Sequence, residues 1–301
     1  MTTLVSAPAE KEALLNAAAV KGRSLWDDSR RRLLSNKAAM AGFIVLAILI
    51  LLAVVGPFVW PHSYKTQYRE ALAIGPTFKD LHLLGTDIYG RDMVARILAG
   101  LRISLAVGAI ATLVSLVIGV AWGAVAGFAG GRVDQLMMRF VDALYAMPFI
   151  FFVILVTVVF GRSIFLIFLA IGAVEWMTMA RIVRGQTLAL KQKEFVEAAR
   201  AAGVGPIGII VRHILPNLLG PVAVYVSLTI PVVILQESFL SFIGLGVQEP
   251  LTSLGRLISD GQRELGNPWM LIGPAVTMVI TLFSLNFIGD GLRDALDPKD
   301  R

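Results

Sequence analysis

Five stretches of this chain run long enough to cross a bilayer without one charged side chain: 38–61, 103–131, 143–161, 214–236 and 265–289. A span needs about 20 apolar residues, because about 30 Å of hydrocarbon is crossed at about 1.5 Å per residue. A sixth stretch, 163–180, has the length but is interrupted by Glu175. None shows the period-two alternation of a barrel strand. Backbone groups in hydrocarbon must be bonded internally, so helices are the structures that remain. The expected fold class is all-α integral membrane, with six transmembrane helices. Composition agrees, since only 16% of the 301 residues are charged, where a soluble domain carries about 25%.

This pattern divides the chain into a polar segment at 1–37, a first span at 38–60 and an outer segment at 61–102. Spans at 103–130, 137–161 and 163–181 follow. A polar loop at 182–216 leads to a fifth span at 217–240, an outer loop at 241–267, a sixth span at 268–290 and a tail at 291–301. The first segment carries Lys11, Lys21, Arg23, Arg30, Arg31, Arg32 and Lys37. The apolar run after it is too long for a signal-peptide core and lacks a small-x-small cleavage site, so it reads as an uncleaved helix. With both termini in the cytoplasm, inner segments hold 18 Lys and Arg and outer segments 9, the bias that orients membrane proteins.

Several chemistries are not expected. There is no cysteine, hence no thiolate site and no disulfide. His62, His82 and His213 stand far apart in sequence, which argues against a histidine metal centre, so no metal is expected. The net charge of +6 belongs to cytoplasmic loops, and no nucleic-acid partner is expected. A P-loop needs Gly-Lys before Ser or Thr, and no Gly-Lys occurs. Gly203, Gly205 and Gly208 spell G-x-G-x-x-G, but no strand precedes them and Pro206 lies within. No H-E-x-x-H occurs, and no histidine in a span is placed to activate a serine. Asp87, Asp92 and Asp294 read as solvated or capping carboxylates. No catalytic residue is assigned.

The loop at 182–213 is the most polar part of the core, with Arg184, Lys191, Lys193, Glu194, Glu197, Arg200 and Arg212. Residues 193–202 are good helix formers, Gly203 is placed as a left-handed C-cap, and Pro206 prevents simple continuation. A second turn over 207–215 leads to Pro216. A short Ala-rich helix with one acid suits insertion into a partner's groove, or lies as an amphipathic helix at the interface.

Three further features carry alternatives. Gly119, Gly123 and Gly127 form a ladder of small residues, for packing inside this chain or against another subunit. Glu175 lies in an apolar helix, where an ionisable group costs about 3 kcal/mol at the bilayer centre. It lines a translocation path and meets the amino end of a peptide, or sits protonated or paired at a helix interface. Glu237 stands near the outer end of the fifth span, where Gly244 and Gly246 let the chain turn back, and on its own residues is a snorkelling carboxylate at a helix end.

Residues 197–216 read E-A-A-R-A-A-G-V-G-P-I-G-I-I-V-R-H-I-L-P. They resemble the EAA loop of ABC importer permeases: E-A-A, three residues, Gly, nine residues, then I-x-L-P. Glu197, Ala198, Ala199, Gly203, Leu215 and Pro216 match. His213 occupies the Ile slot, as in the peptide-permease branch. L-G-T-D-I-Y-G-R-D at 84–92, A-G-L-R-I-S-L at 99–105, E-S-F-L-S-F-I-G-L-G at 237–246 and G-D-G-L-R-D-A-L-D-P at 289–298 resemble the oligopeptide and dipeptide permeases. G-R-S-L-W-D-D-S-R-R-R at 22–32, R-I-V-R-G-Q-T-L at 181–188 and the terminal D-P-K-D-R resemble the C-type permeases of oligopeptide systems.

The resemblance implies the type I importer permease fold in a bacterial inner membrane, with the outer segments periplasmic. It implies a passive half of an oligopeptide importer, docked to its ATPase through Glu197, Ala198, Ala199, Gly203, Leu215 and Pro216. For Glu237, Gly244 and Gly246, in the family-like segment at 237–246, it implies the alternative of shaping an outer mouth. Implied partners are a second homologous permease, two ATP-binding subunits, a periplasmic peptide-binding protein, the peptide and membrane lipid. ATP-Mg would be bound by the ATPase subunits and no cofactor by this chain. Dipeptides, glutathione or nickel chelates are alternative cargoes. From another class, a stand-alone proton-coupled carrier would need intramembrane relay groups and internal repeats. Sparse acids and no evident repeat speak against it, and a purely structural membrane protein is the third reading.

Overall fold

The structure is a computed structural model and describes residues 25–161 and 163–296. Most of the basic amino-terminal segment, including Lys11, Lys21 and Arg23, lies outside the described residues, as does the D-P-K-D-R tail.

The described residues form helices joined by loops. In chain order they are α1 (Leu25–Ser35), α2 (Lys37–Val59), α3 (Met93–Ala129), α4 (Gly131–Tyr145) and α5 (Phe149–Phe160). Then follow α6 (Ile164–Leu190), α7 (Glu194–Ala201), α8 (Pro206–Ile209), α9 (Leu215–Phe242), α10 (Leu254–Arg263) and α11 (Trp269–Leu296). Helices α2, α3, α6, α9 and α11 are long and apolar enough to span a membrane. The pair α4–α5, bent by 84° at its break, is apolar enough to cross only when the two helices are taken together, which brings the count of candidate spans from five to six.

Local signals set the helix ends. Asn36 caps α2, its Oδ1 accepting from the Ala38 and Ala39 amides at 3.1 Å each. Asp92 caps α3 by accepting from the Ala95 amide at 2.8 Å. The C-terminus of α3 is met by Lys191, whose Nζ donates to Gly127 O at 3.0 Å, a cation at the negative end of a helix. Gly130, at φ +67, then turns the chain into α4.

Helix α6 is the most enclosed of the spans and lies along α3. The glycine ladder explains how closely. A Cβ added to Gly119 would lie 2.5 Å from Met179 Cβ, one on Gly123 would lie 2.9 Å from Arg184 N, and one on Gly127 would lie 2.8 Å from Arg184 O. All three glycines therefore seat α3 on α6 of the same chain. Helix α2 is the opposite case: it packs on α11 and turns Leu51 and Phe58 outward, Phe58 82% exposed. Such a face has no place in water and fits lipid.

Four expected boundaries are corrected. The helix that carries the second span starts at Met93, ahead of the expected 103, because Arg96 is neutralised inside the protein by Asp87 and Asp260. The third span, expected as one helix over 137–161, is two helices broken at residues 146–148. Pro148 has no amide to continue α4, and the residue before a proline is driven out of the helical region. The fourth helix runs to Leu190 rather than 181, since Arg181 and Arg184 pair with Asp142 and Asp134 of α4. The sixth extends to Leu296.

Candidate functional site

The short helix α7 hangs below α6 and α9. Its sequence E-F-V-E-A-A-R-A puts Val196 and Ala199 on one face, and these two residues are buried. They pack with Met179 and Val183 of α6, Ala124 of α3, and Leu218 and Val222 of α9. The other face carries Glu194, Glu197, Ala198, Ala201 and Ala202, all exposed. One side of α7 is thus fixed to three spans, and the other is a small-residue surface with two acids.

Its C-terminus closes at Gly203, φ +78. The Gly203 amide donates to Arg200 O and the Val204 amide to Ala199 O, each at 3.0 Å. These are the two reverse bonds of a Schellman cap. The chain then re-enters the membrane through α8 and a π-turn over Ile210–Ile214, where the Leu215 amide reaches back to Ile210 O. Pro216, at the start of α9, lacks an amide, and a widened turn is how a helix accommodates that loss. The expected second turn over 207–215 is this α8 and π-turn together.

Of the residues assigned to docking, Glu197, Ala198, Gly203 and Pro216 are exposed, and Leu215 is half-buried beneath α7. Ala199 is the exception: it is 7% exposed and faces the core. Among the residues expected to dock, Ala199 is therefore corrected to the inner side of α7, because it stands three residues from Val196 on that side. Ile207, 78% exposed beside this surface, is an apolar contributor absent from the expected set.

Glu237 is also corrected. It forms neither a mouth nor a snorkelling end, since the side chain is fully buried. The Ser241 hydroxyl donates to its Oε1 at 2.6 Å and the Ser104 hydroxyl to its Oε2 at 3.3 Å. Ser241 Oγ in turn lies 3.2 Å from Ser253 Oγ, so one acid joins α9, α3 and the cap of α10. Gly244, at φ +83, does turn the chain after α9. Gly246 lies against Ser241, where no side chain fits.

Glu175 lies in α6 at the wall of a cavity of about 310 Å³. The cavity opens at the break between α4 and α5, and Tyr145, Pro148, Phe152, Thr178 and Gln236 also line it. Gln236 Nε2 donates to Glu175 Oε1 at 2.7 Å.

On the opposite side of the bundle, charge is concentrated between the segment after α2 and the loop before α10. Asp87 is fully buried and accepts from Arg91 Nε at 2.7 Å, from the Arg91 amide at 2.8 Å and from Arg96 Nη1. Arg91 also donates to Glu249 at 3.1 Å. Burial lowers the Arg91 pKa, but its bonds to Asp87 and Glu249 more than offset that and hold it above the ordinary arginine value. Asp92 collects the Trp60 indole and His82 Nδ1, each at 2.9 Å. His62 and His82, though distant in sequence, are stacked at 4.4 Å. Both His62 nitrogens are engaged, Nδ1 with the Tyr68 hydroxyl at 2.9 Å and Nε2 with Asp80 O at 2.7 Å. Of the two expected readings, solvated or capping, Asp92 takes the second by capping α3, while neither Asp87 nor Asp92 is solvated: both are buried centres of networks. Sequence reasoning missed this latch, although T-D-I-Y-G-R-D places the acids and Arg91 within one turn.

Comparison with known proteins decides the family. Residues 119–301 match the family model described as "Binding-protein-dependent transport system inner membrane component". The chain belongs to this family of transport permeases. Residues 24–76 match the "N-terminal TM domain of oligopeptide transport permease C". The permease is 54% identical to the oligopeptide transport system permease protein OppC of Haemophilus influenzae, over 94% of this chain and 91% of that protein. It is 45% identical to the OppC of Bacillus subtilis, over 93% and 92%. Against the dipeptide transport system permease protein DppC of Bacillus subtilis it is 44% identical, over 92% and 87%. The permease's structure resembles an inward-facing MetNI methionine ABC transporter chain, with a TM-score of 0.55 and 20% identity. That match covers 66% of this chain and 94% of the other, and it gives the fold: that of a type I importer permease.

Proposed function

We propose that this permease is one half of the membrane channel of an ATP-driven oligopeptide importer and takes its power stroke through α7. The observation that carries the reading is the two-faced attachment of α7. Val196 and Ala199 are locked to α3, α6 and α9, while the Glu197–Ala198 face, ended by the Gly203 cap, is open to a partner. Force applied to that face reaches three spans through side chains already in contact, so the helix acts as a short lever rather than a loose tether. Its small residues allow close approach, and Glu197 supplies one charge for a basic groove.

In this reading the two ATP-binding subunits carry ATP-Mg and the hydrolytic chemistry, and this chain carries none. A second homologous permease faces α5, α6 and α9 across the path. A periplasmic peptide-binding protein docks on the side bearing the Asp87–Arg91–Arg96 network, and lipid covers α2. Both termini and α7 lie in the cytoplasm. Identity to oligopeptide permeases from two organisms, together with the oligopeptide-permease amino-terminal match, supports oligopeptide cargo.

The test is uptake by the reconstituted assembly of two permeases, two ATPases and binding protein in vesicles. Import of tri- to pentapeptides that stops without ATP and survives collapse of the proton gradient is the expected result. Import that follows the proton gradient overturns the reading, and import of dipeptides alone moves the permease to the dipeptide branch.

A further inference from the structure

Glu175 has a setting that the coupling function does not explain. It stands 11 residues after the start of α6, about 16 Å along the helix and therefore near the middle of about 30 Å of hydrocarbon. A carboxylate at that depth is costly without a partner, yet among the described residues no Lys or Arg pairs with it. The two arginines that follow on the same helix are taken. Arg181 donates to Asp142 at 2.8 Å and lies 4.2 Å from the centre of the Tyr145 ring. Arg184 holds Asp134 with two bonds, at 2.5 and 2.7 Å. What meets Glu175 is a neutral amide, Gln236 Nε2.

That amide is turned so that its own oxygen is left over. Gln236 Oε1 is buried and has no hydrogen-bond partner among the described residues. Glu175 and Gln236 both line the cavity of about 310 Å³ at the α4–α5 break, whose other walls are largely aromatic and aliphatic: Tyr145, Pro148, Phe149 and Phe152. A carboxylate and a spare amide oxygen are acceptors only, and an ammonium carries three donors and no acceptor. An unpaired buried acceptor is otherwise a standing cost to the fold.

We propose that Glu175 and Gln236 form a binding step for a primary ammonium in the translocation path, filled by the amino terminus or a lysine side chain of a peptide in transit. This rests on the peptide-importer reading above. The site is weak by construction, since a polar cavity that held its cargo tightly would stall import. One charged and one neutral acceptor are enough to replace part of the hydration that an ammonium loses on entering the membrane.

The absence of cysteine from the chain permits a direct test on the full reconstituted assembly. Thr178→Cys places a thiol on the cavity wall, and its rates of reaction with methanethiosulfonate ethylammonium and with neutral methyl methanethiosulfonate are compared. The cationic reagent is expected to be favoured several-fold over its preference for a free thiol, and Glu175→Gln to abolish that advantage. No advantage, or one that survives Glu175→Gln, overturns the proposal.

Transport then identifies the source of the ammonium. If a lysine side chain fills the site, Glu175→Gln slows Ala-Lys-Ala roughly tenfold, the loss of one charge-assisted hydrogen bond, and spares trialanine and the Nε-acetyl-lysine analogue. If the amino terminus fills it, all three slow alike, and Gln236→Met, which removes the neutral acceptor and keeps the charge, slows them in the same direction by less. Unchanged import of all three peptides overturns the proposal and leaves the importer reading standing. Failure of the wild-type assembly to import trialanine would instead overturn the importer reading itself.

Discussion

Gly203 offers a clean perturbation of α7, because its conformation and its surroundings act separately. Its φ of +78 lies in the left-handed region, and both reverse bonds of the cap depend on it. A Cβ added there meets nothing within 4 Å. A substitution therefore adds backbone strain and no clash. Strain for a side chain in this region is about 1 kcal/mol for Ala and about 2 kcal/mol for a β-branched residue such as Val. Asn tolerates the conformation and costs little. If the ATPase binds α7 only when the cap is closed, its apparent affinity falls with the capped fraction, by up to about 5-fold for Ala and about 30-fold for Val. Titrating the ATPase subunit against Gly203→Ala, Gly203→Val and Gly203→Asn permeases in lipid discs measures this directly. The expected order of affinity is Gly, Asn, Ala, Val at equal membrane abundance. Equal affinity for Val and Gly would refute the role of the cap. An Asn variant as weak as Val would show that something other than left-handed geometry matters at this position.

Packing and polar networks give three further expectations. Gly123→Leu drives a side chain into Ala180 O and Arg184 N of α6, so overpacking of about 1–3 kcal/mol or more should cut membrane abundance on immunoblots, whereas Gly185→Ala, which meets nothing within 4 Å, should not. Asp87→Asn leaves Arg91 and Arg96 without their shared buried partner, and a loss of about 3–5 kcal/mol should appear as a lower melting temperature of the purified permease. Glu237→Gln keeps an acceptor oxygen for one hydroxyl and offers an amide N–H to the oxygen of the other, and should melt within a few degrees of wild type; Glu237→Leu strands both hydroxyls, at about 1–3 kcal/mol each, and should melt well below it.

The order of the long apolar helices was legible because hydropathy over about 20 residues picks out segments able to cross a bilayer. What that reading missed follows from one cause: a window that stops at charges cannot see charges neutralised by distant partners. Arg96, Arg181 and Arg184 each marked an expected helix end or lay beyond it, and each sits inside a helix because an aspartate elsewhere meets it. The break at Pro148 fell within a continuous apolar run and left no trace in hydropathy, although the proline was a visible signal. In the loop around α7, Gly203 was readable as a cap from local chemistry. The inward face of Ala199 was not, because nothing in E-A-A says which side of an eight-residue helix meets the membrane core. The stacking of His62 on His82 and the burial of Glu237 depend on tertiary folding, and spacing alone carried no sign of either.

The coupling role of α7 is tested most directly by introducing one cysteine into a chain that has none. Ala198→Cys places it on the exposed face and Ala199→Cys on the buried one. With the assembly purified in mild detergent and treated with a short bifunctional crosslinker, Ala198→Cys is expected to give an adduct to a nucleotide-binding subunit, and Ala199→Cys far less. Isolation of this permease alone from both variants, with peptide uptake restored by the single chain in vesicles, would contradict the account.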